Sequence, residues 1–237
     1  MAKTFADFKY LTFDVVGTLI DFEGGIKDCL AGIAAETGVT VDGEEALTLY
    51  REARYSDDAD LFPDDLVRVY LAIAPRLGLP VQAAYGQRLR DSAKSWKGFA
   101  DSKEAMARLS KKYRLIAMTN ARRWAFEHFS KELGNPFHAA FTADDTGTEK
   151  PDPAFFEKVF DFVSSEGNAK EDILHVAQSQ YHDIGISRRL GMTNCWIERR
   201  HAQKGYGGTI EPAEFTKPDF HYHSMAGLAD AVEEVAA

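Results

Sequence analysis

Short apolar segments alternate with helical patterns along most of the chain. Residues 10–14 form an apolar run that ends in an acid and precedes a glycine-containing turn, which is typical of a buried strand. Further strands are predicted at 113–118, 138–142, 173–177, 194–197 and 220–222. Helical periodicity separates them at 102–111, 123–133, 153–164, 184–190 and 224–235. This alternation predicts an α/β fold, a doubly wound parallel sheet with helices on both faces.

One long segment interrupts the alternation. Helical periodicity marks 26–37, 44–55, 64–77 and 82–92, and no strand pattern lies between them. We therefore expect an all-helical cap domain of residues 22–97, inserted into a Rossmann-like core formed by residues 1–21 and 98–237. Such a cap would cover the carboxyl ends of the strands, where doubly wound sheets hold their ligands.

Composition and charge are those of an ordinary globular protein. The 237 residues are 45% hydrophobic and 27% charged, with a net charge of -9. Acidic and basic residues are mixed along the chain, which argues against nucleic acid or an anionic membrane as a partner. Residues 1–9 lack the apolar region of a signal peptide, and no stretch reaches the roughly 20 apolar residues of a membrane span. We therefore expect a cytoplasmic protein.

Four short segments each end a predicted strand, so we expect all four to meet at one edge of the sheet. They are Phe-Asp-Val-Val-Gly-Thr-Leu at 13–19, Met-Thr-Asn at 118–120, Lys-Pro-Asp-Pro at 150–153 and Ala-Gln-Ser-Gln-Tyr-His-Asp at 177–183. An Asp exposed by a turn, with backbone N–H groups and the Thr18 hydroxyl to hold it ionised, suits a carboxylate nucleophile. A buried Lys150 would neutralise and orient Asp14, and Thr119 would donate to substrate oxygens.

In this order and context, the four segments resemble the four motifs of the haloacid dehalogenase superfamily. The resemblance covers essentially the whole chain, including the helical cap after the first motif. Each motif alone is weak, but four in order are specific. The resemblance implies that Asp14 forms a covalent ester with the substrate, and that Lys150 and Asp183 complete the catalytic set.

Two departures from the majority pattern favour chemistry without a metal or any other cofactor. Phosphatases of this superfamily carry a general acid two residues after the nucleophile, and Val16 at that position cannot donate a proton. They also bind magnesium through an acidic fourth motif, where this chain has Gln178 and Ser179. Magnesium prefers charged oxygen ligands, so we expect no metal site here.

Metal independence favours the L-2-haloacid dehalogenase branch, which the chain also resembles in the spacing between Ser179 and Asp183. Dehalogenases grip the substrate with an arginine on a cap helix, and Leu-Tyr-Arg at 49–51 resembles its context. The implied residue is Arg51, whose planar fork suits a carboxylate or a departing anion. The alternative is that Arg51 is only part of a solvent-exposed face of the helix. Gln178 and Gln180 stand where dehalogenases commonly have Ser and Asn to position the hydrolytic water.

The C-terminal third also resembles L-azetidine-2-carboxylate hydrolases, which open a strained ring amine instead of breaking a carbon–halogen bond. The similar segments are 181–183, 196–201, 205–207 and 219–225. Both resemblances imply displacement at carbon in a small 2-substituted carboxylic acid. Phe155 and Phe156 follow the third motif where dehalogenases often place a substrate-contacting Tyr, so the substrate itself stays open.

The resemblance implies a role for each remaining site residue. Those expected to bind substrate or position water are Thr18, Arg51, Thr119, Asn120, Gln178, Ser179 and Gln180. His175 and His182 are expected to be structural. Two other interpretations stay open, a magnesium-dependent phosphatase with a degenerate first motif and a non-catalytic protein that binds a small anion. Related caps often pack into homodimers, and the sequence leaves that question open.

Overall fold

Six parallel strands form one sheet at the centre of the protein, whose computed structural model describes residues 3–235. The strands are β1 (Tyr10–Phe13), β2 (Arg114–Thr119), β3 (Ala139–Thr142), β4 (Ile173–Ala177), β5 (Thr193–Ile197) and β6 (Phe220–Tyr222). They lie in the order β3-β2-β1-β4-β5-β6, and each neighbouring pair is parallel. The expected doubly wound parallel sheet is confirmed, and its strand order reverses direction between β1 and β4.

Ten α-helices accompany the sheet in the described part of the chain. They are α1 (Phe22–Thr37), α2 (Gly43–Arg54), α3 (Leu66–Ile73), α4 (Ala83–Ser92), α5 (Ser102–Leu109), α6 (Arg123–Glu132), α7 (Ala143–Thr146), α8 (Pro153–Ser165), α9 (Gly185–Arg189) and α10 (Met225–Glu234). The prediction of one helix over 64–77 was too long at its end, because Pro75 has no N–H with which to continue the helical hydrogen bonds. None of the helices described has both the length and the apolar character needed to cross a bilayer.

The innermost strands β1 and β4 are buried along their whole length. Leu11 of β1 lies in register with Leu115 of β2 on one side and Leu174 of β4 on the other. A strand covered on both faces needs no polar alternation, which explains the continuous apolar run at 10–13. On one face, Phe155 of α8 packs in the same buried cluster as Ile116 of β2.

Helices α1–α4 and the segments that connect them, here called the helical block, follow β1 in the chain, and the helices pack against one another. Helix α4 approaches α3 so closely that a Cβ on Gly86 would lie 2.9 Å from the carbonyl oxygen of Val67. The block reaches the sheet through Arg122, whose N–H donates to the carbonyl of Phe62 at 2.8 Å. The Arg122 guanidinium also pairs with Asp64 at 2.8 Å. These contacts hold the block beside the turn that follows β2.

Replacing Phe155 tests the packing of α8 on the sheet. The side chain is fully buried, and we expect Phe155→Ala to lower the free energy of unfolding by about 3–5 kcal/mol, because the lost ring leaves a cavity. Urea denaturation measures this change. The control is Val81→Ala, at a side chain that is 58% exposed, which should change stability by less than about 0.5 kcal/mol. Equal effects of the two substitutions would contradict the described packing.

Candidate active site

The turns after β1, β2 and β4 meet the turn before α8 at one edge of the sheet. Together with the helical block they line a cavity of about 370 Å³. The sheet edge contributes Asp14, Val16, Thr119, Asn120, Glu149, Lys150, Gln178, Ser179, Tyr181, His182 and Asp183, and the block contributes Phe22, Tyr50, Arg54, Tyr55 and Phe62. Residues 208–210 line a further part of the wall. The cavity lies where the strand order reverses, which is the usual ligand position in doubly wound sheets.

Asp14 follows β1 directly and is held by the turn that comes after it. Its N–H donates to the carbonyl of Val176 at 3.1 Å, which extends the pairing with β4 by one residue. The chain then turns at Gly17, whose φ of +94° suits glycine. The Thr18 hydroxyl donates to Asp14 Oδ2 at 2.6 Å and accepts from the N–H of Gln178 at 2.8 Å. Thr18 therefore joins the turn after β1 to the turn after β4.

A buried lysine lies between two buried carboxylates. The Nζ atom of Lys150 is 3.0 Å from Asp14 Oδ1 and 2.6 Å from Asp183 Oδ1. The lysine side chain is 1% exposed, and the two Asp side chains are 10% and 0% exposed. Buried charges are costly unless they are paired. The structure thus brings together the three residues that the sequence predicts to be catalytic, and Lys150 provides the counter-charge for both acids.

Asn120 holds the backbone of the lysine. Its side-chain amide donates to the carbonyl of Lys150 at 2.8 Å, and its carbonyl accepts from the Lys150 N–H at 2.8 Å. Helix α8 begins just after this point, with the Asp152 side chain accepting from the N–H of Ala154 at 2.9 Å. Asn120 itself also lines the cavity.

Asp183 belongs to a π-helical turn, Gln180–Ile184, that follows β4. Ser179 begins this turn, because its hydroxyl accepts from the N–H of His182 at 3.0 Å. Turns of this type appear mostly as single-turn interruptions at functional sites. The longer spacing between Ser179 and Asp183 in the sequence is therefore the length of one wide helical turn.

His175 supports Asp183 from beneath the site. Its Nε2 lies 3.1 Å from Asp183 Oδ1, and its Nδ1 lies 2.8 Å from the hydroxyl of Thr12. Because an ionised carboxylate only accepts hydrogen bonds, we assign a proton to Nε2 of His175, which donates to Asp183. Asp183 Oδ2 is buried and has no hydrogen-bond partner among the described residues.

The pKa values of Asp14 and Asp183, which share Lys150, shift in opposite directions. Burial opposes the ionisation of Asp183, but the charge of Lys150 and the hydrogen bond from His175 prevail and lower its pKa from 3.8 to about 2. Burial and the negative charge of Asp183 raise the pKa of Asp14 above 3.8, against the effects of Lys150 and Thr18. Asp14 is therefore the more basic of the two carboxylates.

The structure separates the other predicted polar residues into two groups. Thr119, Gln178 and Ser179 line the cavity, as does Asn120. Gln180 does not line it, and its Oε1 accepts from the N–H of Thr216 at 3.1 Å. Thr18 also does not line the cavity, since its hydroxyl is used between Asp14 and Gln178.

The arginine at the cavity is not the one that the sequence predicts. The Arg51 guanidinium donates to the carbonyl of Gly207 at 2.5 Å, and Arg51 does not line the cavity. Arg54, one helical turn further along α2, lines it and is 8% exposed. Its guanidinium lies 3.2 Å from Glu149 and 3.7 Å from Asp65. Arg51 instead ties the block to the loop that closes the cavity.

Two further residues of the site were missed by sequence reasoning. Glu149 precedes the lysine of the third motif, lines the cavity and has its pKa raised by burial, with Arg54 acting in the opposite direction. His182 also lines the cavity, and desolvation lowers its pKa to about 4, so its imidazole is neutral at pH 7. Its ring packs on that of Tyr55 at 5.6 Å. Adjacency to Lys150 and Asp183 was the only signal for either residue.

Residues 8–183 match the family of haloacid dehalogenase-like hydrolases. This match covers well over half of the chain, and the protein belongs to the haloacid dehalogenase-like hydrolases. Membership agrees with the parallel sheet, with the helical block inserted after β1 and with the carboxylates of Asp14 and Asp183 bridged by Lys150. The family resemblance of the four sequence motifs is thereby confirmed.

Relatives and solved structures include different activities. The chain is 22% identical to pyrimidine 5'-nucleotidase PynA from Streptococcus pneumoniae, over 96% of both proteins. It is similar to the L-2-haloacid dehalogenase from Xanthobacter autotrophicus with chloropropionic acid covalently bound, with a TM-score of 0.72 and 18% identity, over 95% of this chain and 98% of that chain. It is also similar to the hydrolase YfnB from Bacillus subtilis bound to magnesium, with a TM-score of 0.76 and 17% identity, over 95% of this chain and 99% of that chain. These similarities establish the fold, but they do not identify the substrate.

The residues present do not fit a magnesium ion well. Three of the four carboxylate oxygens of the acid pair already accept from Lys150, His175 or Thr18, which leaves only Oδ2 of Asp183 without a donor among the described residues. The neutral Gln178 lines the cavity directly after β4, where the resemblance to phosphatases of this superfamily implies an acid. Magnesium requires a near-octahedral set of hard oxygen ligands. We therefore derive no chemical step through a metal.

The opposite pKa shifts of Asp14 and Asp183 predict how each carboxylate contributes to stability. We expect Asp183→Asn to lower the free energy of unfolding at neutral pH by about 2 kcal/mol, because the pKa of Asp183 falls from 3.8 to about 2 on folding. This stabilisation is complete well above 3.8 and is lost as the pH falls from 3.8 through about 2. Urea denaturation at a series of pH values measures the difference, which should shrink below about pH 4.

Asp14→Asn is the matched control for this experiment. The pKa of Asp14 is raised by burial, so its charged form is disfavoured in the fold. The substitution leaves Lys150 paired with Asp183 alone, and stability at neutral pH should be kept or increased. Equal losses of stability in Asp183→Asn and Asp14→Asn would contradict the opposite pKa shifts of the two carboxylates.

Proposed function

We propose that the protein hydrolyses a small 2-substituted carboxylic acid by displacement at carbon, without a metal and through a covalent ester on Asp14. The observation that carries this proposal is Val16, which lines the cavity two residues after Asp14. A phosphate ester needs a proton for its leaving alcohol, and valine cannot donate one. A halide leaves without a proton, and a ring amine leaves from its ammonium form, so neither requires an acid at that position.

In the first step, an oxygen of Asp14 attacks the substrate carbon. The bond from that carbon to the leaving group breaks, and the leaving group departs with the bonding electrons. Hydrogen bonds from Lys150 and Thr18 to separate oxygens of Asp14 fix the carboxylate plane. Little solvent reaches the carboxylate, whose side chain is 10% exposed, and a dehydrated carboxylate is a stronger nucleophile at carbon.

In the second step, water attacks the carbonyl carbon of the Asp14 ester. The bond between this carbon and the ester oxygen breaks, so the product alcohol keeps the oxygen that came from Asp14. One proton of the water passes to the alcohol and the other to solvent, and the oxygen of the water stays in the regenerated carboxylate. Asp183 Oδ2, which has no protein donor, is the acceptor that we assign to this water, with Gln178 beside it.

Arg54 is the residue that we assign to the substrate carboxylate or the departing anion. In the described part of the chain, Arg54 and Lys150 are the two Lys or Arg side chains that line the cavity, and Lys150 is already used by the carboxylates. A guanidinium presents a planar set of donors that matches a carboxylate. Glu149 lies 3.2 Å from Arg54 and aligns it, and the hydroxyl of Thr119 supplies a further donor.

We further propose that residues 22–97 act as a cap domain on a core of residues 1–21 and 98–237. The support is that Tyr50, Arg54 and Phe62 line the same cavity as the acid pair. A cap that closes over the substrate would exclude bulk water during the first step, which strengthens the charge interactions inside the site.

A second candidate is a magnesium-dependent phosphatase. It is favoured by the similarity to a pyrimidine 5'-nucleotidase and to a hydrolase with bound magnesium. The neutral Val16 and Gln178 speak against it, because they supply neither the acid nor the extra ligand that this chemistry uses.

A single-turnover reaction in oxygen-18 water tests the ester. With enzyme in excess over 2-chloropropionate or azetidine-2-carboxylate, we expect the label in the side chain of Asp14 and not in the first product. Mass spectrometry of the peptide that contains Asp14 detects it. Asp14→Asn should lower turnover by on the order of 10⁴-fold or more, because the nucleophile is lost.

The control for this experiment is Asp161→Asn, at an exposed position of α8, which should keep full turnover. The phosphatase alternative makes the opposite prediction. Hydrolysis of p-nitrophenyl phosphate that requires added magnesium, without any turnover of the carboxylic acids, would sink the proposal.

Two conservative substitutions on α2 test which arginine meets the substrate. Arg54→Lys keeps the charge and loses the fork, and we expect KM to rise by about tenfold to a hundredfold. Arg51→Lys, on a residue outside the cavity, should change KM by less than about threefold, which is the effect of a few tenths of a kcal/mol. Steady-state kinetics on correctly folded variants measures both. If Arg51→Lys raised KM more than Arg54→Lys did, the substrate-binding role would belong to Arg51.

A further inference from the structure

The chain passes between the sheet and the helical block twice, and the two crossing segments run side by side. The first, residues 18–21, leaves the turn after β1, and the second, residues 97–101, returns from the block to α5. They pair through an antiparallel bridge between Ile20 and Gly98. Because the first segment begins at the turn that holds Asp14, a movement of the block would turn this carboxylate unless the pair of segments is fixed to the core.

Arg199, which follows β5, binds both crossing segments. Its Nε donates to the carbonyl of Thr18 in the first segment at 2.9 Å. Its Nη1 donates to the two carboxylate oxygens of Asp101 in the second segment at 2.9 and 3.0 Å, and its Nη2 donates to the hydroxyl of Ser102 at 3.1 Å. The guanidinium carbon also lies 4.2 Å from the ring centroid of Phe99, within the range of a cation–π contact. One side chain of the core thus holds both segments at once.

The clamp formed by Arg199 and Asp101 is itself anchored in the core. The Arg199 side chain is 8% exposed, and each nitrogen of its guanidinium donates a hydrogen bond. A buried charge is costly unless it is paired and hydrogen-bonded, and Asp101 supplies the counter-charge. Asp101 in turn accepts from the N–H groups of Met225 at 2.8 Å and Ala226 at 3.2 Å, where α10 begins. The clamp therefore connects the crossing segments to β5 and to α10.

Thr18 connects the clamp to the carboxylate of Asp14. Its carbonyl accepts from Arg199, while its hydroxyl donates to Asp14 Oδ2 at 2.6 Å and accepts from the N–H of Gln178 at 2.8 Å. The backbone of Thr18 is therefore held by Arg199, and its side chain is held by Gln178. Arg199 does not line the cavity at Asp14, so it acts on the site through Thr18.

We propose that Arg199 is a positioning residue for Asp14, and that it keeps the plane of this carboxylate fixed while the helical block closes over the cavity. The inference rests on the proposed role of Asp14 as the nucleophile. Displacement at carbon requires the reacting atoms to lie about 3–3.5 Å apart and in line, and a misplacement of about 1 Å can lower the rate about a hundredfold. A clamp that ties both crossing segments to the core prevents such a shift.

Arg199→Lys tests the clamp in single-turnover and steady-state kinetics. Lysine keeps the charge opposite Asp101, but its single nitrogen cannot replace a planar set of donors that reaches several acceptors. We expect ester formation on Asp14 and kcat to fall by about tenfold to a hundredfold, while KM changes by less than about threefold. The matched control is Arg108→Lys, at a guanidinium of α5 that pairs with two carboxylates of α10, which should keep both constants.

Hydrogen exchange measured by mass spectrometry tests the clamp without any substrate. In Arg199→Lys, peptides that contain residues 14–21 and 97–102 should exchange at least about tenfold faster than in the wild type, whereas peptides from β4 should exchange at the wild-type rate. This readout needs no turnover. If the wild type turned over none of the carboxylic acids, the reaction proposed for Asp14 would be wrong, and the exchange rates would still show whether Arg199 fixes the turn.

A second variant, Ser102→Ala, removes one acceptor of the guanidinium and leaves Arg199 in place, so it carries the test if Arg199→Lys does not fold. It should speed exchange in the same peptides by at least about threefold. The proposal is overturned if Arg199→Lys keeps the wild-type rates of ester formation and of exchange at residues 14–21. It is also overturned if KM rises while kcat is kept, since Arg199 would then act on substrate binding. Faster exchange throughout the sheet would overturn it as well, because that is the sign of a purely structural role.

Discussion

The buried ammonium group of Lys150 sets the conditions for the whole site. Two carboxylates could not both remain charged at this depth without it, because an unpaired buried charge costs several kcal/mol. The lysine does not serve them equally, since Asp183 has a second donor in His175 and Asp14 has only a threonine hydroxyl. The result is one strongly acidic carboxylate and one that keeps its basicity. A shared counter-ion thus divides two identical side chains into different chemical roles.

Asp14, Lys150 and Asp183 lie close together because the strand order of the sheet reverses between β1 and β4. Connections that leave β1 and β4 in opposite directions open a crevice at the carboxyl edge, and the residues that follow both strands face it. The helical block supplies the opposite wall and one arginine. Ion pairs from Arg200 to Glu23 and Glu44 join the block to the segment after β5. The loop that closes the cavity is therefore attached both to the core and to the block.

The chain is about one-fifth identical both to a nucleotidase and to a dehalogenase. The same scaffold therefore occurs in proteins that act on different substrates. A core with a nucleophilic Asp and a partner Lys can serve displacement at phosphorus or at carbon. The choice depends on the few side chains that face the leaving group. In this chain Val16 and Gln178, which line the cavity, are neutral.

The sequence by itself determined the strands, most helices and the trio of Asp14, Lys150 and Asp183, because periodicity and motif order report local conformation and strand ends. It did not determine which arginine lines the cavity: Arg51 and Arg54 are three residues apart on one helix and share a face. Only the position of Gly207 in a distant loop decided between them. The same holds for the hydrogen bond from Thr216 to Gln180 and for the contact of His175 with Asp183. Each depends on contacts between segments far apart in the chain, and those exist only after the tertiary structure has formed.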